Sequence, residues 1–391
     1  MTLKIIFWLL LIILFYTYIG YLLVLFVLNV FKNNNQKEET PGEFLPGVSL
    51  LIPAYNEFDF LRAKIDNINS LNYPADKLDI IWIIDGSDDG SYEYLKDHTD
   101  HTVLHQRERA GKSAAINMGM QKVKEAYTII TDANTALNKE AVKNVIDCFK
   151  DSKTGCVAGE KRISQSNGNN TVSSGEGIYW RYESLIKKLE SGLKTTIGGA
   201  GELLAIKTDL YREIDKDIIN DDFFLSLMII RQKYRIKYCP GAYATERPSA
   251  DIKEEIRRKS RIAAGGVQIV FKLPEFLNII KYGSYSFQYI SHKVLRWTLA
   301  PLAFFVIPII NLCIVINNAF RVDIYLIVFI ISILFILLTF IGFIAGGSRS
   351  YTKHLILPYY ITVMNLSTLM GIARFLGRKQ SSKWDKSKRM T

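Results

Sequence analysis

Cysteine is scarce in this chain of 391 residues, and Cys148, Cys156, Cys239 and Cys313 show no paired spacing. That scatter argues against a zinc cage and fits a reducing compartment. Histidine is equally sparse. His98, His101 and His105 lie close together, but neither a cysteine nor a regular helix joins them, so they read as poor metal ligands. Charge is missing altogether from Ile5 to Phe31. The run exceeds the roughly 20 residues that span a bilayer, is too long for a signal peptide, and has no small-residue cleavage site after it. It is expected to be an uncleaved membrane helix. Charge is also absent from Leu299–Asn317 and Ile324–Ala345, where Asn311, Asn317 and the nearby Asn318 are the main polar interruptions. Leu355–Leu376 is interrupted by Asn365, Ser367 and Arg374, and either it or the stretch around Tyr285–Trp297 is read as lying along or partly in the membrane. There is no repeat, and no low-complexity tract beyond the polar linker Asn33–Gly42. The soluble middle lacks a basic stripe interleaved with aromatics, which argues against a nucleic-acid partner. The net charge of +11 gathers beside the apolar runs, where anionic lipid headgroups account for it.

What is present is a topology and an order of motifs. Lys32 and Lys37 follow the first apolar run, and Arg374, Arg378, Lys379, Lys383, Lys386, Lys388 and Arg389 form a basic tail. Positive flanks stay in the cytoplasm. Three spans then place the N-terminus outside and both the middle and the tail inside. The chain divides into an N-terminal span (1–32), a linker (33–46), a catalytic domain (47–266), an interfacial segment (267–298) and membrane-associated helices with a basic tail (299–391). Asn169-Asn170-Thr171 would lie in the cytoplasm and is not read as a glycosylation site.

Within the middle, strand-like runs at Val48–Ile52, Leu78–Ile84, Val103–Gln106 (an edge strand) and Tyr127–Thr131 alternate with helical patterns at Leu61–Ser70 and Ser113–Lys124. Such alternation implies a mostly parallel sheet covered by helices. Carboxylates recur just after the strands: Glu57 in Pro53-Ala54-Tyr55-Asn56-Glu57, Asp85 in Asp85-Gly86-Ser87-Asp88-Asp89-Gly90-Ser91, and Asp132 in Thr131-Asp132-Ala133-Asn134. Open α/β sheets hold ligands at that edge. Each residue also has a plain structural use. Asp-Gly-Ser is good turn chemistry, Glu57 can start a helix, Asp132 can cap a helix beginning near Asn138, and Asp222 can cap Asp222–Gln232. Lys112 sits in a Gly-Lys-Ser context, but Gln106 stands where a P-loop needs its first glycine.

Five motifs in order carry a resemblance: Pro53–Glu57, Asp85–Ser91, Gly111–Asn117, Asp132-Ala133-Asn134 and Asp221-Asp222. Together, over about Val48 to Gly266, they resemble family 2 glycosyltransferases of GT-A fold, a Rossmann-like nucleotide-diphospho-sugar transferase domain, here flanked by membrane helices. The tail from Asn365 through Trp384 to Arg389 is similar to bacterial membrane-bound members. The resemblance implies a donor site of Pro53, Tyr55, Glu57, Asp85, Lys112, Asp132, Arg258 and Arg261. It implies Mg²⁺ or Mn²⁺ at Asp132 and Asn134, the second being a neutral ligand. Gly201 and Glu202, after Gly198-Gly199-Ala200, would line the acceptor side. Asp222 would be the general base of an inverting transfer, with Asp221 assisting. Arg257–Ile262 falls where polymerising members carry Gln/Arg-x-x-Arg-Trp. Arg258 and Arg261 match, while Ile262 replaces the tryptophan and removes a platform for the acceptor sugar.

The implied enzyme is a hexosyltransferase-type glycosyltransferase in a bacterial inner membrane, its catalytic domain cytoplasmic. It would move sugar from a nucleotide donor, with a UDP-sugar expected, to a growing glycan or lipid-linked acceptor for surface polysaccharide. A single-addition transferase is the nearest alternative, and a non-catalytic scaffold of an export complex is one of another class. The few spans leave room for a homodimer or export subunits.

Overall fold

The computed structural model describes residues 1–32, 44–164, 171–345, 353–379, 381 and 383. The expectations for the linker from Asn33 to Gly42, for Asn169-Asn170 and for the tail from Trp384 to Arg389 fall outside the described residues.

The chain opens with α1 (Thr2–Phe15) and α2 (Tyr21–Val30), joined by a π-turn into one apolar rod. The middle of the chain runs β1 (Val48–Ala54), α3 (Phe58–Asn69), β2 (Leu78–Asp85), α4 (Ser91–His98), β3 (Thr102–Gln106), α5 (Lys112–Met120), β4 (Tyr127–Ile130), β5 (Thr135–Leu137), α6 (Ala141–Asp147) and β6 (Thr154–Ile163). It continues through α7 (Thr171–Leu193), β7 (Leu204–Lys207), α8 (Asp221–Arg231), β8 (Arg235–Glu246) and α9 (Ile252–Lys272), a helix that runs on past residue 266. Short helices α10 (Ile279–Tyr282), α11 (Ser284–Tyr289) and α12 (Leu295–Trp297) lead into α13 (Leu299–Asn317), α14 (Ile324–Ala345) and α15 (Lys353–Leu376).

One sheet of eight strands in the order β3-β2-β1-β4-β7-β6-β8-β5 forms the centre. Its first half is parallel throughout, β3 at the edge. The second half is mixed: β7 runs antiparallel to β4 and β6, β8 parallel to β6, and β5 antiparallel to β8. The expected mostly parallel sheet is thus found only in the half with alternating strands and helices. Alternate residues of the central strands enter different cores. Leu51, Ile81 and Ile83 pack on one face, and Leu50, Ile52, Trp82 and Ile84 on the other. Two buried faces explain why these strands read as unbroken apolar runs. Parallel β1, β2 and β4 all end on the same side, so Tyr55–Glu57, Gly86–Gly90 and Thr131–Asn134 gather at one rim.

Among the described residues, three helices are long and apolar enough to cross a membrane: Thr2–Val30, Leu299–Asn317 and Ile324–Ile344. Phe7 of the first packs with Ala303, Ile307 and Ile314 of α13, while Tyr21 and Leu25 pack on Ile186 of α7. α14 exposes Ile327, Ile330, Leu334, Leu337 and Phe340, an apolar surface suited to lipid. The more polar α15 lies against α9. A Cβ at Gly371 would come within 2.5 Å of the Ser260 carbonyl oxygen, so the helices nearly touch backbone to backbone. Tyr360 donates to Glu255 at 3.0 Å, and Tyr18 of the first rod donates to Asn365 at 2.7 Å.

The three histidines are used locally. His98 and His105 stack on Tyr94 and Tyr92, and His101 bonds the Trp82 indole N–H at 3.1 Å. All four cysteines are free.

Candidate active site

The rim loops are fixed before any ligand arrives. Asn56 takes a left-handed φ of 53°, and its amide exchanges two hydrogen bonds with Asp88, donating at 2.8 Å and accepting from the Asp88 N–H at 3.1 Å. Gly86, at φ 67°, must be glycine for a second reason: a Cβ there would stand 2.5 Å from the Arg109 backbone nitrogen. Asp85 is fully buried and accepts from the N–H groups of Ala110 and Gly111 at 2.7 and 2.8 Å. It shapes the loop leading to Lys112 and does not line the cavity. Tyr55 also lies outside the lining, with the Arg109 guanidinium 4.0 Å from its ring centre.

Next to this rim is a cavity of about 220 Å³. Pro53, Glu57, Lys112, Asp132, Asn134, Gly201, Glu202, Asp221, Asp222, Arg258 and Arg261 all contribute to its wall, so the structure brings together every other sequence-predicted site residue. Lys112 opens α5, where its ammonium donates to Asp132 Oδ1 at 2.6 Å and lies 3.9 Å from Asp221 Oδ2. Burial alone would lower the Lys112 pKa, but Asp132 and Asp221 outweigh it and hold the lysine charged. Asp132 moves upward because burial exceeds the help from Lys112. Its carboxylate is committed to that lysine, and the nearby helix starts only at Ala141, which removes the capping alternative.

Asp221 and Asp222 form the first turn of α8, and Asp222 Oδ1 accepts from the Phe223 N–H at 2.8 Å. Burial, then the Asp221 charge, pushes the Asp222 pKa up to about 6. A carboxylate so placed stays ionised at neutral pH yet is a better base than an exposed aspartate. Facing it is Gly201, where a Cβ would stand 3.1 Å from Lys112 Nζ and 3.8 Å from Asp222 Cγ. A bare backbone therefore borders the Asp222 carboxylate.

Two of the expected ligands are largely engaged. Arg258 is bound to Glu176 at 2.5 Å and to Glu255 at 3.5 Å. Glu202 pairs with Lys161, which also pairs with Glu246. Burial would raise the Glu202 pKa, but Lys161 overrides it and keeps the carboxylate ionised. Arg261 differs. Its guanidinium has a 3.4 Å contact to the Ile219 carbonyl and no ion pair among the described residues. As a candidate cation seat, Asp132 and Asn134 fit: Asn134 Oδ1 is buried with no hydrogen-bond partner among the described residues, and an oxygen pair of this kind suits a hard divalent ion. No cluster of three acidic, histidine or cysteine ligands is present among the described residues, so oxygens of a substrate would complete any shell.

The sequence reading missed the opposite wall. α7 supplies Tyr179, Trp180, Glu183 and Lys187, and the turn before α13 supplies Lys293, Arg296 and Trp297. Behind it, buried His292 faces Glu190 through Nδ1 at 2.9 Å and Glu183 through Nε2 at 3.2 Å, while Arg296 pairs with Glu183. The basic and aromatic residues near Tyr285–Trp297 were a signal, read there as membrane association alone.

The mixed sheet with its rim of carboxylates has the GT-A fold seen in solved glycosyltransferase structures. Residues 49–212 match the family model for Glycosyl transferase family 2. It is similar to the poly-beta-1,6-N-acetyl-D-glucosamine synthase of Staphylococcus aureus (strain MSSA476), 27% identical over 278 residues, covering 68% of this chain and 65% of that protein. It is also similar to the synthase of the same name from Staphylococcus epidermidis, 29% identical over 248 residues, covering 60% of this chain and 58% of that one. The chain thus spans less than two thirds of the length of either relative. In fold it matches the mannosyltransferase PcManGT from Pyrobaculum calidifontis, solved with GDP-Man and Mn2+, at TM-score 0.71 and 20% identity over 97% of this chain and all of that one.

Proposed function

We propose that this protein is a membrane-bound inverting glycosyltransferase that extends a surface polysaccharide from a UDP-sugar; the relatives' name, poly-beta-1,6-N-acetyl-D-glucosamine synthase, supports UDP-N-acetylglucosamine as that donor. One observation carries the reading: Lys112, Asp132, Asp221 and Asp222 converge on one cavity, with Asp222 half-buried and its pKa raised.

Asp222 takes the proton of the acceptor hydroxyl as that oxygen attacks the anomeric carbon from the side opposite the diphosphate. The new glycosidic bond forms while the bond from the anomeric carbon to the phosphate oxygen breaks. The nucleoside diphosphate leaves with that electron pair. Asp221 keeps Asp222 basic by repulsion, and Lys112 and Arg261 supply positive charge for the leaving diphosphate. A Mg²⁺ or Mn²⁺ ion held by Asp132 and Asn134 would neutralise the same diphosphate oxygens. Glu57 and Pro53 form the cavity floor on the nucleotide side. The catalytic domain faces the cytoplasm, because the first span ends at the basic Lys32.

The test is nucleotide release by detergent-purified protein from a panel of sugar nucleotides, with either metal. Turnover of one donor, lost in Asp222→Asn, is expected. Failure of folded wild-type protein to bind any sugar nucleotide would sink the reading. Product length on a gel then separates polymerisation from single addition.

A further inference from the structure

We propose that Trp297 is the platform on which the acceptor sugar rests, an inference that depends on the glycosyltransferase reading above. Trp297 is the last residue before the turn into α13 and forms part of the cavity wall. A Cβ at Gly266 would lie 2.4, 2.5 and 2.6 Å from Cδ2, Cε3 and Cε2 of its indole. Those three atoms are contiguous, so one face of the ring lies flat on the bare backbone of α9. Phe223 meets the ring edge-on at 5.2 Å and 87°. Phe223 directly follows Asp222, so the same residue pair ties the ring to the base. With one face seated on Gly266, an edge on Phe223 and the Lys293 ammonium over the ring 5.9 Å from its centroid, the half-exposed remainder of the indole belongs to the cavity.

The register on α9 makes the placement specific. Ile262 and Gly266 are four residues apart and share a face of the helix. Ile262 also lines the cavity, and it is where this chain lacks an aromatic ring. The glycine one turn later opens room on that face, and the indole that fills it comes from another part of the chain.

The chemistry selects a sugar. A pyranose ring carries hydroxyls around its rim and apolar C–H groups on its faces, and a rigid flat indole matches such a face at low entropic cost. Trp180, on the same wall of the cavity, has a buried indole N–H with no hydrogen-bond partner among the described residues, a donor suited to an acceptor hydroxyl or amide oxygen. The site therefore takes a hexopyranose end unit of a glycan, positioned where the cytoplasmic cavity meets the span Leu299–Asn317. A tryptophan beside a span is also a common interfacial anchor. An anchor, however, would not affect acceptor affinity.

The experiment uses the full chain in detergent, UDP-N-acetylglucosamine, and a β-1,6-linked N-acetylglucosamine pentasaccharide as acceptor. Trp297→Ala is expected to raise the acceptor KM roughly tenfold while the donor KM stays in place. Trp297→Phe should restore most of the loss. Gly266→Ala, which leaves the tryptophan but tilts its ring, should raise the acceptor KM by a smaller factor and guards against misfolding of the alanine variant. Wild-type turnover with an unchanged acceptor KM in both Trp297→Ala and Gly266→Ala overturns the platform alone. A rise in donor and acceptor KM together also overturns it, as that marks general damage. No donor turnover by wild type overturns the transferase reading, and the platform with it.

Discussion

The two walls of the cavity are built from similar side chains but arranged differently. On the sheet side, Lys112 reaches Asp132 and Asp221, Arg261 has no ion pair among the described residues, and the Asn134 oxygen has no partner there. On the other wall, and among Lys161, Glu202 and Glu246 at the strand ends, the charges are closed on themselves: Arg258 with Glu176 and Glu255, Arg296 and Lys293 with Glu183, and Lys161 with Glu202 and Glu246. Removing one partner of a buried pair strands a charge, so closed pairs act as structure. Open or shared ones are left to meet a charged substrate. The difference teaches that lining a cavity does not make a charged group a ligand; what its partners leave free decides that.

Three substitutions test the contrast. Asp222→Asn keeps the shape of the open wall and removes the base, so kcat should fall roughly a thousandfold with the fold intact by circular dichroism. Arg258→Leu strands Glu176 and Glu255 and should cost about 3–5 kcal/mol of stability, seen as a lower detergent unfolding midpoint. If Arg258→Leu instead raised the donor KM without loss of stability, Arg258 would belong with the ligands. Arg261→Ala breaks no ion pair and should raise the donor KM by roughly 10- to 100-fold, the range for a charge-assisted hydrogen bond. The unfolding midpoint should barely move.

The open wall was legible in the sequence because it is local. Apolar strands end in short loops, so Pro53–Glu57 and Asp132–Asn134 sit where a parallel sheet must put them, and the Asp221-Asp222 pair starts its helix within a residue of the expected position. The closed wall was not legible, since its partners are remote in the chain. Arg258 finds Glu176 82 positions away, and a motif reading of Arg258 alone can only assign it to phosphate. The antiparallel pairing of β7 with β4 and β6 was hidden for a related reason: no helix alternation marks it. Buried Lys64 was invisible too. It reads as one charge on a polar helix, yet it donates to the Thr135 carbonyl at 2.8 Å beneath Asp132, and burial lowers its pKa to about 7.

The finest probe of the open wall is pH. As the proposed base, Asp222 would work only when deprotonated, and its pKa is raised to about 6 by burial and by Asp221. The deprotonated fraction is therefore half at that pH and falls about tenfold per unit below it. The donor kcat/KM should rise along a limb centred near pH 6 and level off above it. Stability has the opposite sign. A carboxyl with a raised folded-state pKa contributes stability below its unfolded value, and that contribution is lost as pH rises through about 6. The two causes can be separated. Asp221→Asn removes the like charge and should move the limb to lower pH, whereas Lys112→Gln removes an opposing cation and should move it higher. If Asp221→Asn left the limb in place, burial alone would set the base, and Asp221 would act only as the partner of Lys112.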